Sequence, residues 1–157
     1  MIGRAALCTA AAVVAAVAAV AGASGAATPN PCTLVPAGTV ASTVGLKGVT
    51  LTGKLSTRAD GAVKQSVCTY AHGKATIQID VAPHQTSGGS GGPPGMVKGT
   101  VTGLGTGATF FYGTNPKFLF ATVSFTKGGF DASVYNNGTV PHEDVPTLAK
   151  LVYKALP

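Results

Sequence analysis

Three histidines, three cysteines and five acidic residues are the side chains with which this 157-residue chain could carry out acid–base, thiol or metal chemistry. Their spacing narrows the choice. His72, His84 and His142 lie 12 and 58 positions apart, so no pair has the H-x-x-x-H spacing that puts two imidazoles on one helical face. Cys8 sits in an apolar run, which leaves Cys32 and Cys68 enclosing 35 residues. A metal would need further Cys or His at ligand spacing, and a nucleophilic thiol needs a base in reach. Cys68 precedes His72 by four residues in a strand-like stretch, which would put them on one face but about 13 Å apart. Of the three uses, a disulfide between Cys32 and Cys68 is the one carried forward, ahead of a metal ligand or a reactive thiol. Glu143 and Asp144 are adjacent, so on a helix they diverge by about 100° and do not form a facing acid–base pair. They fit the start of a helix instead.

Two apparent motifs fail on context. Gly103-Leu104-Gly105-Thr106-Gly107-Ala108 matches G-x-G-x-x-A, but strand-like Thr109-Phe110-Phe111-Tyr112 follows where a dinucleotide site needs a helix N-terminus. No acidic residue lies about 20 positions on, so the stretch reads as a glycine turn before a strand. No serine has a G-x-S-x-G surround. A hydrolase would have to assemble Ser66 or Ser124 with His72 or His84 through the fold. The sequence offers no cofactor site, no metal site and no catalytic set.

The aromatic residues are more informative. In 117–126, Leu119, Ala121, Val123 and Phe125 alternate toward one side, which sends Phe118 and Phe120 to the other. In the next strand, Phe130, Ala132 and Val134 share the inward side and Tyr135 takes the outward one. Phe118, Phe120 and Tyr135 are therefore the candidate binding surface, an apolar patch on the uncovered side of a sheet. The competing reading is that a loop or crossing strand covers them.

The elements that would position this patch follow from periodicity. A short helix is expected over 36–44, with Thr33 as cap, Pro36 in its first turn and Gly45 as terminator. Val49, Leu51 and Leu55 alternate with Thr50, Thr52 and Lys54 as in a strand, and polar 56–65 with Asp60-Gly61 reads as a turn. Residues 66–72 and 74–82 flank Gly73 as a hairpin, with Ala75, Ile77, Ile79 and Val81 inward and Thr76, Gln78 and Asp80 outward. Residues 83–95 (PHQTSGGSGGPPG) predict a flexible loop. Strands are expected over 97–101, 108–112, 117–126 and 129–136, the last two joined by a tight turn at Lys127-Gly128-Gly129. Residues 142–156 form an amphipathic pattern, with Val145, Leu148, Ala149, Val152 and Leu156 at helical spacing. The predicted fold is α+β: an antiparallel sheet with an N-terminal and a C-terminal helix packed on one face, and one disulfide.

Arg4 is followed by an uncharged run, Ala5 to Ala23, and then by small residues, the pattern of a secretory signal peptide over 1–27. That leaves a single exported domain over 28–157, with no membrane span in the mature chain. Its net charge falls from +6 to +5 with the loss of Arg4. Lys47, Lys54, Arg58 and Lys64 are spaced singly, which is a solvated face and not the dense patch nucleic acid requires.

Pro31-Cys32 with Leu34, then Cys68-Thr69-Tyr70, then Val101-Thr102-Gly103-Leu104-Gly105 with Ala108, resemble the P-C-x-L, C-x-[WY] and V-x-G-L-G-x-x-A pattern of an actinobacterial family of exported proteins and lipoproteins of unknown function. The resemblance spans nearly the whole of 28–157. It implies an envelope location and a bridge between Cys32 and Cys68, and it supplies no catalytic residues. This chain lacks the family's frequent lipobox and has Gly105-Thr106-Gly107 where an acidic residue often follows. The expectation is a monomeric, secreted, extracellular or cell-wall protein that binds an envelope ligand or protein without catalysis. An envelope serine hydrolase, or an extracellular protease inhibitor or structural protein, is the alternative.

Overall fold

The computed structural model describes residues 27–46, 48–60, 63–85, 94–115, 119–138 and 140–157. All of the expected signal segment except Ala27, and residues 86–93 of the expected loop, lie outside them. The element order is α1 (Pro31–Leu34), α2 (Ala37–Thr43), β1 (Gly53–Asp60), β2 (Val63–His72), β3 (Ala75–Pro83), β4 (Val97–Gly99), β5 (Thr109–Tyr112), β6 (Phe120–Lys127), β7 (Phe130–Asn137) and α3 (Asp144–Ala155). The seven strands form one antiparallel sheet in the order β1-β2-β3-β7-β6-β5-β4. It is two meanders, β1–β3 and β4–β7, joined where β3 pairs with β7 from Thr76 opposite Asn137 to Pro83 opposite Phe130.

The two-residue period sorts the side chains into rows across the strands. One row runs Leu55, Cys68, Ile79, Val134, Val123, Phe110 and Gly99. Ile79, Val134 and Val123 in it are fully buried. They belong to one cluster with Val40, Ala41 and Val44 of the α2 region and Val145, Leu148, Ala149 and Val152 of α3. Contacts run from α1 to β1, β2 and β3, and from α3 to β6 and β7. The next row over has the opposite parity and runs Lys54, Thr69, Gln78, Tyr135, Thr122, Phe111 and Lys98.

Several boundaries differ from the sequence reading. The helix expected over 36–44 is present as α2, and a one-turn helix that was not foreseen, α1, precedes it, the two separated at Val35, whose backbone is extended. Thr33 lies inside α1 and does not cap α2, whose N-cap position is Pro36 without a side-chain cap; Asn30 caps α1, accepting from the Cys32 N–H at 2.9 Å. Val49 and Leu51 precede β1, so they reach the core from a loop, and Leu55 is 51% exposed because it lies on the edge strand. Residues 56–60 and 63–65, read as part of a polar turn, pair with each other as strand, Arg58 opposite Gln65. Hydrogen-bonded pairing overrides their polarity because an edge strand needs no apolar face. Of the turn expected at Asp60-Gly61, Asp60 ends β1 and Gly61 lies outside the described residues. By contrast, the hairpin at Gly128-Gly129 has φ of +58° and +81°, the double left-handed geometry of a primed turn, as predicted. Gly103, Gly105 and Gly107 likewise have positive φ and open no helix, and Leu104 between them is buried.

One covalent bridge and two sets of hydrogen bonds fix the helices to the sheet. Cys32 of α1 is disulfide-bonded to Cys68 of β2. The buried Tyr70 hydroxyl donates to the Val35 carbonyl at 2.8 Å, at the break between α1 and α2. Lys127, at the end of β6, donates from Nζ to the carbonyls of Tyr153 and Leu156 at 2.8 and 2.6 Å, satisfying acceptors that the C-terminus of α3 cannot pair internally.

Replacing both Cys32 and Cys68 by Ser frees a 35-residue loop in the unfolded chain and is expected to lower stability by roughly 3–4 kcal/mol in urea unfolding. Reductant should destabilise the parent and leave the double variant unchanged. Gly53 is packed so closely that a Cβ there would stand 2.9 Å from both Cys68 Sγ and Tyr70 Cε1. Gly53→Ala should therefore cost about 1–3 kcal/mol by overpacking, read from the same unfolding curves.

Candidate functional site

The side chains on the outward parity of β3, β6 and β7 converge because the register makes them neighbours. Tyr135 is opposite Gln78 on one side and Thr122 on the other, and Asn137 is opposite Thr76 and Phe120. Phe120 and Tyr135 are thus diagonal partners, the spacing at which long side chains still meet across a ladder. Their ring centroids are 6.4 Å apart and their planes inclined at 48°. Both are half-buried. With Arg58 from β1, Thr76, Gln78 and Asn137, they line a groove of about 300 Å³.

Of the expected binding surface, Phe120 and Tyr135 are brought together on the face opposite the core, and Phe118 lies outside the described residues. The other four lining residues were not foreseen. The outward parity of Thr76 and Gln78 is legible in β3, but only the β3–β7 pairing, between segments some 50 residues apart, puts them beside Tyr135.

Beside the groove, Asp80 is only 7% exposed. The Gln78 side-chain amide donates to both of its oxygens, at 2.8 and 3.0 Å. Burial pushes the Asp80 carboxyl above its usual range, and the Gln78 hydrogen bond and the positive charge of Arg58 offset this only in part. Asp80 therefore favours the fold more in its protonated state, a contribution lost as pH rises through its raised pKa. Its practical effect here is to tie down the Gln78 amide nitrogen. On the same face, Thr122 is buried and its hydroxyl has no hydrogen-bond partner among the described residues.

A second polar cluster lies at the start of β7. Asp131 accepts from Thr126 Oγ1 at 2.7 Å and from the Gln85 N–H at 3.1 Å, and its Oδ1 is 2.7 Å from His84 Nδ1. The His84 N–H also donates to the Gly129 carbonyl at 2.8 Å. The segment leaving β3 is thereby strapped to the β6–β7 turn. His84 and Asp131 resemble the base and orienting carboxylate of a hydrolytic triad, so the serines decide the matter. Ser124 shares its hydrogen bond with Ser133, at 2.8 Å, and Ser66 stands opposite Val81 on the core parity. Among the described residues, neither serine is hydrogen-bonded to His72 or His84. Among those same residues, no group of three His, Cys, Asp or Glu could hold a metal ion.

The remaining histidine, His142, stacks on Tyr112 with centroids 4.4 Å apart and planes within 2°. This pair joins β5 to the approach of α3 and does not line the groove.

Comparison with protein-family models, with curated proteins and with solved structures returns no match to this chain, so its own geometry carries the functional reading.

Partial burial pushes the Asp131 carboxyl up, but the hydrogen bonds from His84, Gln85 and Thr126 outweigh it and hold the group below the usual range. Its stabilising effect is then present above the ordinary carboxylate pKa of about 4 and lost as pH falls through the depressed value. Asp131→Asn should lower stability at pH 7 by at most about 1 kcal/mol, since the His84 pair is exposed. The gap between parent and variant should close on acidification. Hydrogen exchange at the Gln85 amide should accelerate in the variant.

Proposed function

We propose that this chain is an exported, non-enzymatic binding domain of the cell envelope or extracellular space, with helices on one face of its sheet and the ligand on the other. The groove between Phe120, Tyr135, Gln78 and Arg58 is the observation that carries this reading. Apolar rings and hydrogen-bonding groups converge there in one concavity, which is the usual composition of a small-molecule site. The rings are held by the central strands β6 and β7, so the site sits on a rigid part of the sheet.

Export rests on the charged start, the apolar run and the small residues of 1–27. The bridge between Cys32 and Cys68 is compatible with an oxidising compartment. No helix among the described residues is long and apolar enough to cross a membrane. The resemblance to actinobacterial exported proteins points to the same compartment, and its lack of catalytic residues fits a binding role.

Ligand-observed NMR with pooled sugars, amino acids, nucleotides and short-chain lipids tests the reading. At least one pool should give a saturation-transfer signal that disappears in Phe120→Ser/Tyr135→Ser, while that variant keeps cooperative unfolding. Signals undiminished in the variant, or no signal from any pool, would overturn it.

A further inference from the structure

We propose that the ligand of this groove is a sugar carrying a carboxylate, its acid group paired with Arg58 and its ring lying against Phe120 and Tyr135. This rests on the groove being the binding site and names the class of molecule it takes.

Charge comes first. Among the described residues, Arg58 is the only ionisable side chain in the lining apart from the Tyr135 phenol, and no carboxylate or histidine among them lines the groove to receive a cation. Arg58 is exposed and forms no salt bridge among the described residues. Asp80, whose field it feels, has both oxygens engaged by Gln78. The guanidinium fork is therefore free to take a planar carboxylate with two parallel hydrogen bonds.

Hydrogen-bonding capacity comes second. Because Asp80 holds the Gln78 amide nitrogen, the uncommitted atom of that side chain is its carbonyl oxygen, an acceptor that needs a donor. Thr76 and Tyr135 hydroxyls can donate or accept, and the Asn137 amide offers both. Mixed donors and acceptors match hydroxyl groups, which do both. Fully ionised phosphate presents acceptors only and would leave the Gln78 oxygen facing oxygen.

Shape comes third. Rings inclined at 48° with centroids 6.4 Å apart leave no parallel slot for a planar base. They make an angled apolar wall, suited to the C–H face of a puckered ring. A volume of about 300 Å³ is at the lower limit for small-molecule sites and fits one or two sugar rings.

Titrating the purified protein with D-glucuronate, D-glucose, AMP and inorganic phosphate, and following the side-chain amides of Gln78 and Asn137 by NMR, tests this directly. Glucuronate should shift both amides and bind about tenfold tighter than glucose, the difference expected of one charge-assisted pair. Arg58→Gln should abolish the preference, so that glucuronate binds the variant no tighter than glucose does. Equal binding of the two sugars, with Arg58→Gln silent, would overturn the carboxylate while leaving the groove a binding site. Shifts from AMP or phosphate without shifts from either sugar would overturn the sugar and again spare the groove. If none of the four probes shifts these amides, the proposal fails, and the pooled screen then decides separately whether the groove binds anything.

Discussion

The ladder between β3 and β7 is the interaction on which the rest of the molecule depends. It joins two meanders that are otherwise built from neighbouring segments, and it does so over eight residue pairs. On one face it brings Ile77, Ile79 and Val81 beside Ala132 and Val134, the centre of the buried cluster. On the other it brings Thr76 and Gln78 beside Tyr135 and Asn137, the floor of the groove. Because strand periodicity is two, a slip of one residue would send Tyr135 into the core and Val134 to solvent. The register that makes the core therefore also makes the groove. Neither can drift without the other, and the burial of Ile79, Val81 and Val134 holds the site in place.

The outward face shows how a protein with few charges arranges polarity. Its central row of Gln78, Tyr135 and Thr122 has no ionised group between Lys54 and Lys98 at its ends. Among the described residues the one buried acid, Asp80, has Gln78 as a bidentate partner, so a group that would be costly to bury alone becomes a fixed orienting element. Asp131, also on that face, is wrapped by three donors at the end of the sheet. The two carboxylates shift in opposite directions for that reason: burial dominates at Asp80, hydrogen bonding at Asp131.

Much of this arrangement could be read from local pattern. The inward alternation of Ala75 to Val81 and of Ala121 to Phe125, the double-glycine turn at 128–129 and the apolar stripe of α3 are all local signals, and all are found in the fold. So is the outward position of Phe120 and Tyr135, which follows from parity alone once the strands are placed. What escaped was non-local or polar. Arg58 stands in a segment whose composition suggests a turn, and only pairing with β2 makes it strand. The one-turn helix α1 escaped too: Asn30 caps it and Pro31 takes its first position, where the missing proline N–H costs nothing, but a single turn is too short to show an apolar period. His84 could be compared in sequence only with nearby Asp80; its partner, Asp131, lies 47 residues on and is reached through the same β3–β7 ladder.

That ladder also explains why the groove residues are scattered along the chain. A groove built on a strand seam takes one or two side chains from each strand, at alternate positions, with buried residues between them. Gln78 stands between Ile77 and Ile79, and Tyr135 between Val134 and Asn136. No contiguous motif can arise from such a pattern. Catalytic sites often gather on loops, where neighbouring residues can be specialised together. Here the polar selection is spread across β1, β3, β6 and β7, and each contribution looks like an ordinary solvent-facing residue of its own strand. The binding role proposed for this open sheet face is one that such dispersed, mostly uncharged side chains can support, because binding needs complementarity over an area.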